Sequence, residues 1–106
     1  MFFNKFEKFK NARLNKRLLW DCDLNNFDYK KAKKLVVSRV IERGHEEDYY
    51  AIFNVYGGIN SVKEIIKSLP YLNKKDMNFV SIVFNIDLKE LTCYSKMLSI
   101  KKLIHY

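Results

Sequence analysis

Asp21 and Asp23 are the residues of this chain whose types and spacing come closest to a catalytic pattern. An Asp-x-Asp pair can hold a divalent metal for nucleotide transfer, but such a site also needs a third carboxylate and a Gly/Ser element that cradles phosphate on a sheet. The sequence predicts no sheet that would carry them. We therefore interpret both aspartates as capping and ion-pairing residues and predict no metal site.

Other groups that could act as nucleophiles or ligands are few. Cys22 and Cys93 form no disulfide framework, and we expect reduced thiols. His45 and His105 have no partner at metal-ligand spacing, and a Cys93–His105 nucleophile pair would need a proximity that a sequence does not show. No glycine-rich phosphate loop is present. We predict that the protein is not an enzyme, with no catalytic residue and no cofactor.

The positive charge of the chain is concentrated at its two ends. Residues 1–17 have a net charge of +5 and residues 96–106 of +3, whereas residues 18–95 sum to zero within a total of +8. We therefore divide the chain into a basic amphipathic N-terminal arm, 1–17, and a single helical domain, 18–106. No apolar run has membrane-spanning length and no secretory signal is evident, so we predict a cytoplasmic protein without membrane contact.

The arm interleaves basic residues with phenylalanines at helical spacing, which indicates two kinds of surface. Its cations could neutralise the phosphates of a nucleic acid, unless the arm is simply a solvated tail. Its phenylalanines and the following tryptophan could contact a protein partner, or join two copies of the chain by exchange of the arm. The phosphate-binding candidates are Lys5, Lys8, Lys10, Arg13, Lys16 and Arg17. The partner-binding candidates are Phe3, Phe6, Phe9 and Trp20.

The rest of the chain has the pattern of a succession of short helices. Apolar stripes over 29–43, 49–56, 62–69 and 77–84 are separated by stop signals at Gly44, where we expect a left-handed cap, at Gly57-Gly58 and at Pro70. An acidic run at 46–48 suits a helix start. Three capping pairs also mark helix starts: Ser61 with Glu64, Asn73 with Asp76 and Asp87 with Glu90. We predict an all-α fold, a compact bundle of five or six short helices.

Two of these helices, near 61–85, are joined by a short turn containing Pro70 and resemble a helix-turn-helix. The second would present outward polar side chains to a DNA groove. The candidates are Lys74, Lys75, Asn78 and Ser81. The pair lacks an arginine, the commonest reader of guanine, and small bundles are generally built from such helix pairs. DNA binding therefore stands as the alternative function.

Several runs of residues carry a family resemblance. They are Leu18-Leu19-Trp20-Asp21-Cys22-Asp23, Arg39-Val40-Ile41-Glu42-Arg43-Gly44, Tyr56-Gly57, the run at 72–79 and the ending from Cys93-Tyr94 through His105-Tyr106. They resemble a family of small uncharacterised helical bacterial proteins, and the resemblance extends from Leu14 to Tyr106. Members of that family are often encoded beside nucleotidyltransferase-like toxins of the abortive-infection type. The resemblance thus implies an antitoxin-like or toxin-associated role, and it implies no catalytic residue.

Physically, these runs are typical of packing, capping and ion pairing. Arg39 and Arg43 lie one helical turn apart and could pair with Asp21 and Asp23. We expect a non-enzymatic protein-interaction module, antitoxin-like or toxin-associated, with a DNA-binding transcriptional regulator of helix-turn-helix type as the alternative. The two functions are compatible, because many antitoxins also repress their own operon.

Overall fold

Four α-helices and three short 3-10 helices form the fold in a computed structural model that describes Phe3 and residues 7–96. Helix α1 spans Lys33–Arg43, α2 Glu46–Tyr56, α3 Ile59–Lys67 and α4 Lys74–Val83. The 3-10 helices span Lys16–Leu19, Leu24–Asn26 and Leu88–Glu90, and residues 92–96 are also helical. This part of the chain contains no strand. The prediction of an all-α bundle of short helices is confirmed.

The core lies where α1, α2 and α3 pack against one another. Val37 and Val40 of α1, Ile52 of α2, and Val62 and Ile66 of α3 are each almost completely buried. Each such side chain contributes about 1.5–3 kcal/mol by leaving water. Helix α1 also contacts the first 3-10 helix and α4. None of the described helices is long and apolar enough to cross a membrane.

Helix ends follow local signals where those signals are strong. Gly57 ends α2 with φ of +89°, the left-handed conformation that glycine adopts without strain. Asn73 caps α4, since its side-chain oxygen accepts a hydrogen bond of 2.8 Å from the backbone N–H of Asp76. Asp87 and Glu90 form the predicted capping box, although the helix that they begin is a single 3-10 turn.

Three predicted boundaries differ from the structure. Helix α1 begins at Lys33 and not at Tyr29, because Asp28 caps a preceding turn by accepting from the backbone N–H groups of Lys30 and Lys31. Helix α3 begins at Ile59, so Ser61 lies within its first turn and caps nothing.

Gly44 is the third of these differences, because it has φ of −73° and not a left-handed conformation. A Cβ at this position would lie 2.6 Å from the carbonyl oxygen of Val40. Close packing on the end of α1 therefore requires a glycine here.

The described part of the arm packs on the helical domain. Phe3 is buried, with its ring centroid 5.0 Å from that of Phe53 and 5.2 Å from that of Phe84. Phe9 stacks on Tyr50 at 4.9 Å. The surface of Phe3 is therefore used within the core of this chain, and its contact with a partner stays a prediction. Exchange of the arm between copies stays a prediction.

Phe3→Ala is expected to lower the free energy of unfolding by about 3 kcal/mol, because it removes a ring from an aromatic cluster. Phe79→Ala is the matched control, since Phe79 is 38% exposed, and should cost about 1 kcal/mol or less. Urea unfolding followed by far-UV circular dichroism measures both. Equal losses in the two variants would show that Phe3 does not belong to the core.

Candidate functional site

Trp20 is the most exposed of the large apolar side chains that the structure describes, with 75% of its surface open to solvent. It directly follows the first 3-10 helix, Lys16–Leu19. Tryptophan gains more from burial than almost any other side chain, and isolated domains usually bury most of it. Its exposure here is therefore the first feature of the surface that folding alone does not explain.

The residues that precede Trp20 in the turn that carries it are anchored in the core. Leu18 and Leu19 are buried in the core, and Asn15 caps the 3-10 helix by accepting a hydrogen bond of 3.0 Å from the backbone N–H of Arg17. With Leu19 only 1% exposed, the backbone at the next residue has little freedom to turn inward. Trp20 thus projects outward because its neighbour is fixed inward.

A bidentate ion pair anchors the other side of Trp20. The guanidinium of Arg39 donates to both oxygens of Asp21, at 3.0 and 2.8 Å, and also to the carbonyl oxygen of Leu18 at 3.0 Å. This geometry is the strong form of the Arg–carboxylate interaction. The hydrogen bonds from Arg39 lower the pKa of Asp21 to about 2. The predicted pairing of Arg39 with Asp21 is therefore present.

Asp48 ties the start of this turn to α2. Its side chain is 3% exposed, and its two oxygens accept from the backbone N–H groups of Asn15, at 2.9 Å, and His45, at 2.8 Å. The spacing of His45 and Asp48 is that of a capping box, which a sequence can reveal. From the acidic run at 46–48 we predicted only that a helix starts there. The contact between Asp48 and Asn15 was not predictable from local sequence, because 33 residues separate Asp48 from Asn15.

The remaining polar groups near the turn have structural partners. The Asp23 side chain caps the second 3-10 helix by accepting from the backbone N–H of Asn25, so the predicted pairing with Arg43 does not form. Burial, followed by the charge of Asp21, raises the pKa of the Cys22 thiol. Burial also raises the pKa of Cys93. Neither thiol is activated as a nucleophile. No group of three metal-ligating side chains occurs among the described residues.

The basic candidates of the arm lie on two parts of the surface. Arg13, Lys16 and Arg17 are exposed beside the Trp20 turn. Lys8 is exposed with its ammonium 5.4 Å from the ring centroid of Phe9, and the backbone carbonyl of Lys10 accepts from the Asn54 side chain. Lys5 and Phe6 lie outside the described residues.

The candidates on α4 are brought together in part. Lys74, Lys75 and Asn78 are exposed near the start of the helix. Ser81, which we expected to face outward, donates its hydroxyl to the carbonyl oxygen of Ile86 at 2.6 Å. This hydrogen bond holds the segment that follows α4 against the helix. The Ser81 hydroxyl therefore has a partner within the chain and does not face outward as a free group.

The ion pair of Asp21 predicts a pH-dependent stability. A carboxyl whose pKa is about 2 in the folded chain and 3.8 in its ordinary state stabilises the fold above pH 4, and this contribution disappears as the pH falls from about 4 to about 2. Asp21→Asn should therefore unfold at lower urea than wild type at pH 7, and the difference should shrink below pH 4. Arg39→Gln should lower the stability at pH 7 in the same way. The double variant should lose little more stability than either single variant. Additive losses in the double variant would contradict the pairing.

A comparison with known protein families matches residues 14–66, half of the chain, to DUF6922, a family of unknown function. The matched residues run from just before the first 3-10 helix to the last turn of α3, so they include Trp20, Asp21, Arg39 and Asp48 and exclude α4. No curated protein and no solved structure matches significantly. On the basis of the family match, the chain belongs to the DUF6922 family of unknown function.

Proposed function

We propose that this protein is a non-enzymatic protein-interaction module that binds its partner through the Trp20 surface, formed by Trp20 with Arg13, Lys16 and Arg17. The observation that carries the proposal is the exposure of Trp20 on a turn whose two ends are fixed. Tryptophan is the residue type most enriched among interface hot spots. A backbone that is fixed on both sides of Trp20 before binding loses little conformational entropy when the ring enters a pocket.

The charges around Trp20 favour an acidic partner. Three cationic side chains are exposed on the segment that leads to Trp20, and none of them forms an ion pair within the described chain. Complementary charge at the rim of an interface raises the rate of association and excludes partners of like charge. The partner surface should therefore combine an apolar pocket with an acidic rim.

We further propose that this partner is a toxin and that the module acts as its antitoxin-like or toxin-associated companion in a bacterial cytoplasm. The support is the family resemblance of the runs around Trp20 and Arg39. The two free cysteines, Cys22 and Cys93, suit a reducing compartment. The first candidate to test is the product of the adjacent gene.

A photo-crosslinking amino acid placed at position 20 should capture that gene product in cells, whereas the same amino acid at Tyr71 should not. Tyr71 is the matched control because it is an aromatic residue, 68% exposed, outside the matched residues. With purified components, Trp20→Ala should weaken binding about 30-fold, the effect of a hot-spot residue, and Tyr71→Ala less than about threefold. Equal crosslinking at both positions, or unchanged affinity of Trp20→Ala, would refute the Trp20 surface.

DNA binding is the second candidate function, and the observation that favours it is the common exposure of Lys74, Lys75 and Asn78 on α4. A helix with exposed basic and amide side chains near its start can read base edges in a major groove. The three residues lie outside the residues matched to the family, so this function would belong to the second half of the chain.

Gel shifts with DNA from upstream of the gene test this candidate. If α4 reads sequence, changing Lys74, Lys75 and Asn78 to Ala should weaken specific binding about tenfold or more, and changing Lys89, another exposed lysine, should not. Because Phe3 belongs to the core, the arm is tested by Lys8→Ala with Lys10→Ala and not by deletion. Binding that falls only in this arm variant, and equally for all sequences, would show phosphate attraction without reading.

A further inference from the structure

A groove lined by residues between Lys30 and Ser68 has no role in the function proposed above. It runs between the start of α1, the end of α2 and one side of α3, is open to solvent, and has a volume of about 830 Å³. Val55, Tyr56 and Ile65 form its apolar floor, and Ser61 and Ser68 lie along its α3 side. Its volume is within the range of ligand-binding clefts.

Part of the floor of the groove is held in place by a hydrogen bond, and part of it remains exposed to solvent. Tyr56 donates its hydroxyl to the backbone carbonyl oxygen of Tyr29 at 2.9 Å, which fixes the ring in the floor. Burial raises the pKa of Tyr56 to about 12, so the hydroxyl keeps its proton. Val55 remains 52% exposed although it belongs to α2, the most buried helix of the bundle. The groove thus offers apolar surface that no described part of the chain covers.

One rim of the groove is cationic. Lys30 and Lys33 line it, and neither lysine forms an ion pair with a described residue. The acid in the groove, Glu64, is already held by Lys67 at 3.3 Å. The lysines also precede or begin α1, whose first turn contains no acidic residue, and positive charge at a helix start is unfavourable. The carboxylate of Asp28, which accepts from the backbone N–H groups of Lys30 and Lys31, offsets part of this charge, and an acidic ligand would offset more of it.

We propose that the groove is a second binding site, for an acidic segment of a partner protein that also carries apolar side chains. The apolar floor favours a peptide over a nucleic acid, because a phosphate backbone gains nothing from Val55 or Ile65. The paired lysines favour acidic over neutral or basic peptides. The site is separate from the Trp20 surface, so either can fail without the other.

Selection of a phage-displayed random peptide library on the full chain tests the groove, with synthetic copies of the selected peptides as probes. The expected peptides combine Asp or Glu with large apolar residues. Lys30→Glu with Lys33→Glu should weaken their binding at least about tenfold, and Lys74→Glu with Lys75→Glu, which changes the net charge equally, less than about twofold. Val55→Asp should also weaken binding, whereas Ile82→Asp, at an exposed apolar residue elsewhere, should not.

Four outcomes would overturn the proposal. Selected peptides without acidic residues would contradict the cationic rim. Equal weakening of peptide binding by the two double-lysine variants would indicate general attraction of anions. So would displacement of the peptide by duplex DNA, if Val55→Asp still bound the peptide. Peptides lost in Trp20→Ala but retained by the groove variants would overturn the groove and support the Trp20 surface. Should Val55→Asp unfold, Ser61→Glu at the exposed α3 side places the repelling charge instead.

Discussion

The buried side chain of Asp48 is the constraint on which the positions of the other functional groups depend. It accepts backbone hydrogen bonds from two segments that are distant in sequence, at Asn15 and His45. Leaving either oxygen without a hydrogen bond inside the protein would cost about 1–3 kcal/mol, so each of the two bonds stabilises the fold. Since Asn15 is the N-cap of the first 3-10 helix, the Asp48 side chain at the start of α2 also fixes where the turn carrying Trp20 starts.

Arg39 acts at the other end of that turn, with different energetics. Its pair with Asp21 is partly exposed to solvent, and such pairs contribute less stability than their geometry suggests. What the bidentate contact supplies is orientation, since one guanidinium fixes both the Asp21 carboxylate and the Leu18 carbonyl. Trp20 lies between these two contacts. A buried contact at Asn15 and a surface contact at Asp21 thus fix the backbone on both sides of Trp20, as expected of a preorganised segment.

Local signals in the sequence predicted the helices well, because caps and stops act over a few residues. Gly57 and Asn73 behave as their neighbours in sequence predict. The largest failures are non-local. Phe3 was assigned to a separate arm because nothing nearby in sequence shows that its ring enters a core built from α2 and the end of α4. Of the candidate site, Trp20 and the Asp21–Arg39 pair were predictable from residue type and spacing, whereas the Asp48 contact with Asn15 and the groove exist only in three dimensions.

The charge distribution shows the same limit of sequence reasoning and bears on function. Summed along the chain, the arm is basic and the middle is neutral, which suggests a polycationic tail. In the fold, Lys8 and Lys10 share a cleft with Glu47, so part of the arm's field is offset. Lys30 and Lys33 line the groove without an ion pair to a described residue, and the acid in that groove, Glu64, contacts Lys67. A loose polycation attracts any polyanion in proportion to its charge. Cations beside apolar surface, at the groove and at Trp20 alike, suit a ligand with both features. This is why we propose protein partners for both surfaces, since proteins supply that combination more readily than nucleic acids do.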